Sequence, residues 1–226
     1  MKTAVLINYS ACNHSAKNKW LRIREKVISL LPRDTTYVPY ETPFNMKKCL
    51  QRLIGEEGVT SCISAGGDGS INHILNYLME IMDGRLTGMC LGAIGLGSSN
   101  DFLKPKGLQI RGIPCRIHFE ESKLSDIGLV HYMDKNNEWR SRSFLINASL
   151  GITADANHLF NRGDLVIRAL KSRALDVTIL YTALKTLLAH KNKDIRIKEN
   201  GSWNAMRVAN ISITKSPYIS GGFHYD

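Results

Sequence analysis

Apolar and polar residues fall along this chain in blocks whose spacing switches between that of a strand and that of a helix. Residues 3–8 (Thr-Ala-Val-Leu-Ile-Asn) form a short apolar run closed by polar residues, as a buried strand requires. Residues 16–31 place Trp20, Ile23, Val27, Leu30 and Leu31 at helical spacing, and Pro32 ends the run. Residues 35–40 are extended in pattern, with Pro39 pointing to the end or edge of a strand. Over 45–56, Met46, Cys49, Leu50, Leu53 and Ile54 share one helical face. A strand over 60–65 runs into Gly66-Gly67-Asp68-Gly69-Ser70, and a helix follows over 71–82. A strand over 88–94 runs into Gly95-Leu96-Gly97-Ser98-Ser99-Asn100-Asp101. Strands alternating with helices predict a largely parallel sheet covered on both faces, with ligands at the carboxyl ends of its strands. Both glycine-rich segments fall at such ends.

Beyond about residue 115 the pattern changes. Residues 124–132 and 139–147 predict two strands joined through Asp134-Lys135-Asn136-Asn137-Glu138 as a hairpin. Residues 173–190 predict one long helix carrying Leu175, Ile179, Leu180, Leu184, Leu187 and Leu188, a spacing that usually faces a core, with contact to lipid as the alternative. Strands follow over 194–198 and 205–214, joined near Asn200-Gly201. The expected organisation is a three-layer α/β domain over residues 1–115 and a strand-rich, sandwich-like domain over residues 116–226.

Composition narrows the partners. Lys and Arg outnumber Asp and Glu by 30 to 20, a formal charge of +10 that favours anionic partners: nucleotides, nucleic acid or an acidic membrane surface. The cations are scattered with few aromatics between them, which argues against a single-strand nucleic-acid surface, and no nucleic-acid partner is expected. The five cysteines form no CxxC pair, so neither a zinc site nor a disulfide framework is expected. The first residues do not read as a secretory leader, and no run of apolar residues is long enough to span a bilayer. The expected location is cytoplasmic.

The chemistry is concentrated in the two loops. Gly66, Gly67 and Gly69 let the backbone approach a ligand without a Cβ clash. The helix that follows presents unpaired N–H groups and a partial positive charge, and the two features together make a phosphate cradle. Ser70 is placed to cap that helix or donate to a phosphate oxygen. Asp68 is the informative residue, because an acid beside phosphates needs a cation or a proton to manage. It suits a Mg²⁺ ligand or an acceptor for a hydroxyl proton, whereas a tight turn bonded to its own backbone is the plain alternative. In the second loop Gly97, Ser98 and Ser99 offer donors to phosphates, and Asn100 and Asp101 suit Mg²⁺ or its waters, or else cap a helix. No G-x-x-x-x-G-K-[ST], H-R-D or D-F-G occurs, which excludes P-loop enzymes and protein kinases.

At these residues the chain resembles the catalytic domain of the diacylglycerol kinases, a family related to sphingosine, ceramide and bacterial lipid kinases and more distantly to NAD kinase. Gly66-Gly67-Asp68-Gly69-Ser70 is similar to the family's Gly-Gly-Asp-Gly-Thr, and Ile94 through Phe102 to its Pro-x-Gly-Thr-x-Asn-Asp-Phe, with Ile94 and Ser98 in place of proline and threonine. Asp126-Ile127-Gly128, Phe144 through Asn147 with Gly151 and Asp155-Ala156, and Asn210 with Gly221-Gly222 resemble further family segments. Asn8-Tyr9-Ser10-Ala11 departs from the usual Asn-Pro.

The resemblance implies an ATP site lined by Asn8, Thr42, the loop residues Gly66, Gly67, Gly69, Ser70, Gly95, Gly97, Ser98 and Ser99, and Asp68 as catalytic group, with Asn100 and Asp101 near Mg²⁺. It implies transfer of the ATP γ-phosphoryl to the hydroxyl of diacylglycerol or a related lipid, peripheral docking on an anionic membrane surface, and is compatible with a homodimer. An NAD kinase-like small-molecule kinase and a non-catalytic nucleotide-binding remnant are the alternatives. In the family the glycine stretch leads into a segment bearing a second catalytic acid. This sequence ends at Phe223-His224-Tyr225-Asp226, so the second domain is expected to be incomplete at its C-terminus, with an exposed sheet edge.

Overall fold

The computed structural model describes residues 1–42, 44–120, 122–163, 166–167, 174–219 and 223–224. The apolar run at the start forms β1 (Thr3–Asn8), followed by α1 (Ser15–Leu30), β2 (Thr36–Tyr40), α2 (Met46–Gly55), β3 (Ser61–Gly66), α3 (Asp68–Ile81) and β4 (Cys90–Gly95). β1 pairs in parallel with both β2 and β3, and β3 pairs in parallel with β4. The sheet is completed by two short strands, β5 (Gln109–Ile110) and β6 (Ile113–Arg116), with β6 antiparallel to β4. Its order is β2-β1-β3-β4-β6-β5, so the chain reverses direction across the sheet between β1 and β3.

Alternation along β1 explains the layers. Val5 and Ile7 pack with Ala16, Trp20, Ile23 and Val27 of α1, whereas Ala4 and Leu6 face Leu50 and Leu53 of α2 and Ile74 and Leu78 of α3. A strand covered on both faces must be apolar at every position, as Ala4 through Ile7 are. Pro39 lies on β2, the edge strand, where a missing N–H costs nothing. The spacing predicts α3 from residue 71, but the helix begins at Asp68, because Gly67 is its N-cap and the Gly67 carbonyl accepts from Ser70 and Ile71. Asp68, Gly69 and Ser70 are therefore the first helical turn.

The expected hairpin forms from β7 (Gly128–Met133) and β8 (Trp139–Phe144), antiparallel around Asp134–Glu138. It is seated on α3. The Asn76 side chain donates to the Ser143 carbonyl and accepts from the Ser143 N–H, each at 2.9 Å. Gly128 is required there, because a Cβ would meet the Phe144 ring at 2.2 Å. The chain divides into one compact unit of Met1–Ile146 with the segment from Lys215, and a second of Asn147–Thr214. This division falls after the hairpin, whereas the composition change places it at residue 115, since clamping by Asn76 ties the hairpin to the first unit.

The second unit holds β9 (Asn147–Gly151), α4 (Ile152–Arg162), α5 (Leu175–Ala189), β10 (Lys193–Glu199), β11 (Ser202–Val208) and β12 (Asn210–Thr214). β10 and β11 form a hairpin about Asn200 and Gly201, both at positive φ, and β12 pairs antiparallel with β9. The continuous run expected over 205–214 is thus two strands with different partners. Helix α5 corrects the expectation of a leucine face against a core. Its buried stripe is Thr178, Thr182 and Thr186, while Leu180, Leu184, Leu187 and Leu188 are exposed. Each threonine hydroxyl donates to the carbonyl four residues earlier, which satisfies it without water. Two further strands, β13 (Tyr218–Ile219) and β14 (Phe223–His224), pair antiparallel. Gly221 and Gly222 lie outside the described residues. No helix among the described residues is long and apolar enough to cross a membrane.

Candidate functional site

The carboxyl ends of β1, β3 and β4 carry every loop singled out by the sequence. The reversal between β1 and β3 opens a crevice where the two neighbouring connections leave in opposite directions. At the end of β1, the Asn8 amide donates to Ser70 Oγ at 3.0 Å and accepts from the Ser10 N–H at 3.0 Å. The Thr42 N–H, after β2, donates to Ser10 Oγ at 2.9 Å. Tyr40, the last residue of β2, is hydrogen-bonded to Ser70, and burial pushes its phenol up to about 12. Asn8, Ser70 and Tyr40 form a joined polar floor, with Thr42 tied to it through Ser10. Ser70 neither caps α3 nor lies in a loop. Its hydroxyl is spent on this floor.

The two glycine segments interlock. The Gly66 carbonyl accepts from the N–H groups of Leu96 and Gly97 at 2.9 and 3.1 Å. A Cβ on Gly97 would stand 2.5 Å from Gly67 Cα, and one on Gly66 would stand 2.4 Å from Ser70 Oγ. Gly97 is needed for backbone-to-backbone approach between the loops, and Gly66 leaves room for the Ser70 side chain. Gly69 differs: nothing lies within 4 Å of the position a Cβ would take, so the first turn of α3 faces open space. The first N–H groups of a helix lack intrahelical partners, so this turn presents donors and the positive end of the helix dipole to that space.

Asp68 bridges the loops. Its Oδ2 accepts from the Asp101 N–H and its Oδ1 from the Phe102 N–H, both at 3.0 Å. Burial raises its carboxyl above the ordinary aspartate value, opposed by those two N–H bonds. One lone pair remains on each oxygen. The other two residues expected beside a metal are arranged differently. Asn100, in the left-handed region at φ 53°, turns inward, accepting from the Gly97 N–H at 3.1 Å and donating to the Gly95 and Gly97 carbonyls at 3.3 Å. Asp101 is buried and pairs with Lys104 at 2.7 Å. Both side chains shape the second loop. Ser98 is exposed and Ser99 half-buried on its outer side. Among the described residues no group of three or more acids, histidines or cysteines could hold a metal, and a divalent ion beside Asp68 would have to complete its shell with other oxygens such as those of phosphates and waters.

Lys19 is a residue of the site that the sequence does not signal. From α1 its ammonium donates to the Leu96 and Gly97 carbonyls, both at 3.1 Å, and lies 3.7 Å from Cys12 Sγ. It pins the second loop from below and adds a positive charge beside it. In sequence it is one of several cations on α1, with no spacing that sets it apart.

A mostly parallel sheet whose adjoining strand ends carry two interlocked glycine-rich turns, one opening a helix, makes this an α/β domain of the doubly wound class. The chain belongs to the diacylglycerol kinase catalytic domain family, which matches residues 2–127, more than half of its length. Curated relatives named "Probable lipid kinase YegS", from Salmonella arizonae and Salmonella heidelberg, are 39% identical over 61 residues. That match spans 26% of this chain and only 20% of theirs. A crystal structure described as a diacylglycerol kinase from Bacillus anthracis shares the fold at TM-score 0.62 and 18% identity, over 99% of this chain and 67% of that one. A second chain from the same organism gives TM-score 0.65 at 17% identity over the same shares.

Proposed function

We propose that the chain binds ATP across the two interlocked loops and serves a lipid kinase that transfers the γ-phosphoryl to the hydroxyl of diacylglycerol or a similar lipid. The observation that carries this reading is the joining of Gly66–Ser70 to Gly95–Asp101 around Asp68, with the first turn of α3 left open at Gly69. The N–H groups of that turn suit the phosphate chain, and Asn8 and Thr42 suit the nucleoside side. In the reaction the hydroxyl oxygen bonds to the γ-phosphorus as the bond to the β,γ-bridging oxygen breaks, and ADP leaves with that electron pair. Asp68, its carboxylate desolvated and held by two N–H bonds, either takes the hydroxyl proton or holds the cation. A divalent ion bound there would offset charge on the phosphoryl oxygens. The backbone donors, already fixed by the interlock, need no reorganisation as charge develops.

The test is labelled-ATP transfer to diacylglycerol and, separately, to NAD, with nucleotide binding measured on the same samples and Asp68→Ala as control. Phospholipid product that vanishes in the Asp68 variant supports the reading. Product on NAD alone moves the chain to the small-molecule branch, and binding without transfer to either leaves a nucleotide-binding module.

A further inference from the structure

The outward face of the β10–β11 hairpin has a composition that the nucleotide site does not use. Pairing sets Lys198 opposite Trp203, Arg196 opposite Ala205 and Asp194 opposite Arg207, so these six side chains share one face. All are exposed, and Trp203 is 62% exposed. The Arg196 guanidinium and the Lys198 ammonium each lie 5.8 Å from the Trp203 ring centre. Two cations thus flank one indole, and at the far end of the same face Arg207 stands opposite Asp194, its single acid. The opposite face carries Ile195, Ile197 and Val208, which are partly buried, beside exposed Lys193, Glu199, Ser202, Asn204 and Met206. The tryptophan stands on the face without these aliphatic residues. Over residues 147–214 the chain has ten Lys and Arg against five Asp and Glu, so the face is not neutralised by its surroundings.

We infer that this face docks the protein on an anionic lipid surface. The inference rests on the lipid-kinase reading for the choice of a bilayer among polyanions, and it names the surface that would bring the enzyme to its acceptor. At a bilayer boundary an indole leaves water for the headgroup layer while flanking Lys and Arg stay beside lipid phosphates, so both parts of this face are satisfied together. A single-stranded nucleic acid fits less well, since it needs several stacking platforms and the face has one aromatic ring. The same unit exposes Leu180, Leu184, Leu187 and Leu188, which water disfavours and a bilayer tolerates.

The experiment is co-sedimentation of the full chain with vesicles of phosphatidylcholine alone and of phosphatidylcholine with added phosphatidylglycerol, alongside a fluorescent single-stranded oligonucleotide. Wild type should bind the anionic vesicles, and binding should fall as salt is raised. The double variant Arg196→Gln/Lys198→Gln should bind roughly 25-fold more weakly, at about five-fold per cation. Trp203→Ala should lose roughly ten-fold. Arg196→Lys should bind as wild type, which separates charge from fold, and unchanged circular dichroism of each variant shows the hairpin intact. Equal binding to both vesicle types, or wild-type binding by the double variant, overturns the inference. So does oligonucleotide binding lost in the same variants without vesicle binding, or a wild-type dimer that they render monomeric. None of these readouts needs ATP, so the kinase reading stands or falls separately.

Discussion

Replacing Gly69 by alanine sets fold stability and ligand binding against each other. Gly69 is in the first turn of α3, and nothing lies within 4 Å of the position its Cβ would occupy. Alanine costs less conformational entropy than glycine in a helix, so the variant should be more stable by about 0.5 kcal/mol. That open space is where the phosphates are proposed to lie. A methyl group there should push them off at least one backbone N–H, each such charge-assisted bond contributing about 1.5–3 kcal/mol. ATP affinity should therefore fall roughly 10- to 100-fold. Gly97→Ala is the counterpart. Its Cβ would stand 2.5 Å from Gly67 Cα, so the loops must separate by about 1 Å to restore ordinary carbon contact, at a cost of about 1–3 kcal/mol. Urea denaturation and calorimetric titration with ATP on both variants distinguish the two sites. A Gly69→Ala protein that is stabilised and binds ATP with unchanged Kd would refute the placement of phosphates over α3. A Gly97→Ala protein of wild-type stability would refute the steric account of the interlock.

Other expectations concern parts of the same assembly. Lys19→Met removes two hydrogen bonds to the second loop and should weaken ATP binding about ten-fold, with Lys19→Arg restoring most of it in the same titration. Burial raises the Asp68 carboxyl, so its ionisation opposes folding: the penalty is absent below the ordinary aspartate value and sets in as pH climbs through the raised one. Urea midpoints across acidic pH should show this falling component, and the component should be absent in Asp68→Asn. Asn76→Ala breaks both bonds to Ser143 and should destabilise the first unit by about 2–3 kcal/mol, read as a lower urea midpoint, with far-UV signal otherwise preserved. Cys62 and Cys115, pushed by burial to about 12 and about 11, should resist thiol reagents until the protein is unfolded, whereas half-buried Cys12 should react in the native state.

The first four strands and three helices were legible because each is a run of one periodicity ended by glycine, proline or a polar cluster. Strands β5 and β6 were not, since two and four residues are too few to show alternation. Helix α4 was hidden because none of its residues is buried, leaving no apolar stripe to read. In α5 leucine spacing suggests a packed face, but the threonines are the packed residues, and back-bonded hydroxyls are invisible to hydropathy. At the site, glycine spacing located both loops. It did not tell which glycines serve approach between loops and which leave room for a ligand, a distinction made only by what each would meet in space. Asn100 and Asp101 are expected beside Mg²⁺ from their chemistry. The contacts their side chains make with the Gly97 N–H and with Lys104, each three residues away, are too local for hydropathy to signal.

Helix α3 joins two features described separately. Its first turn holds Asp68 between the loops, and two turns later Asn76 grips the β7–β8 hairpin through both backbone groups of Ser143. The span between them is about 12 Å of unbroken helix, which is stiff over that length. A change in how the hairpin is seated would therefore reach Asp68 through a rigid segment, so the two ends of α3 share one positioning element.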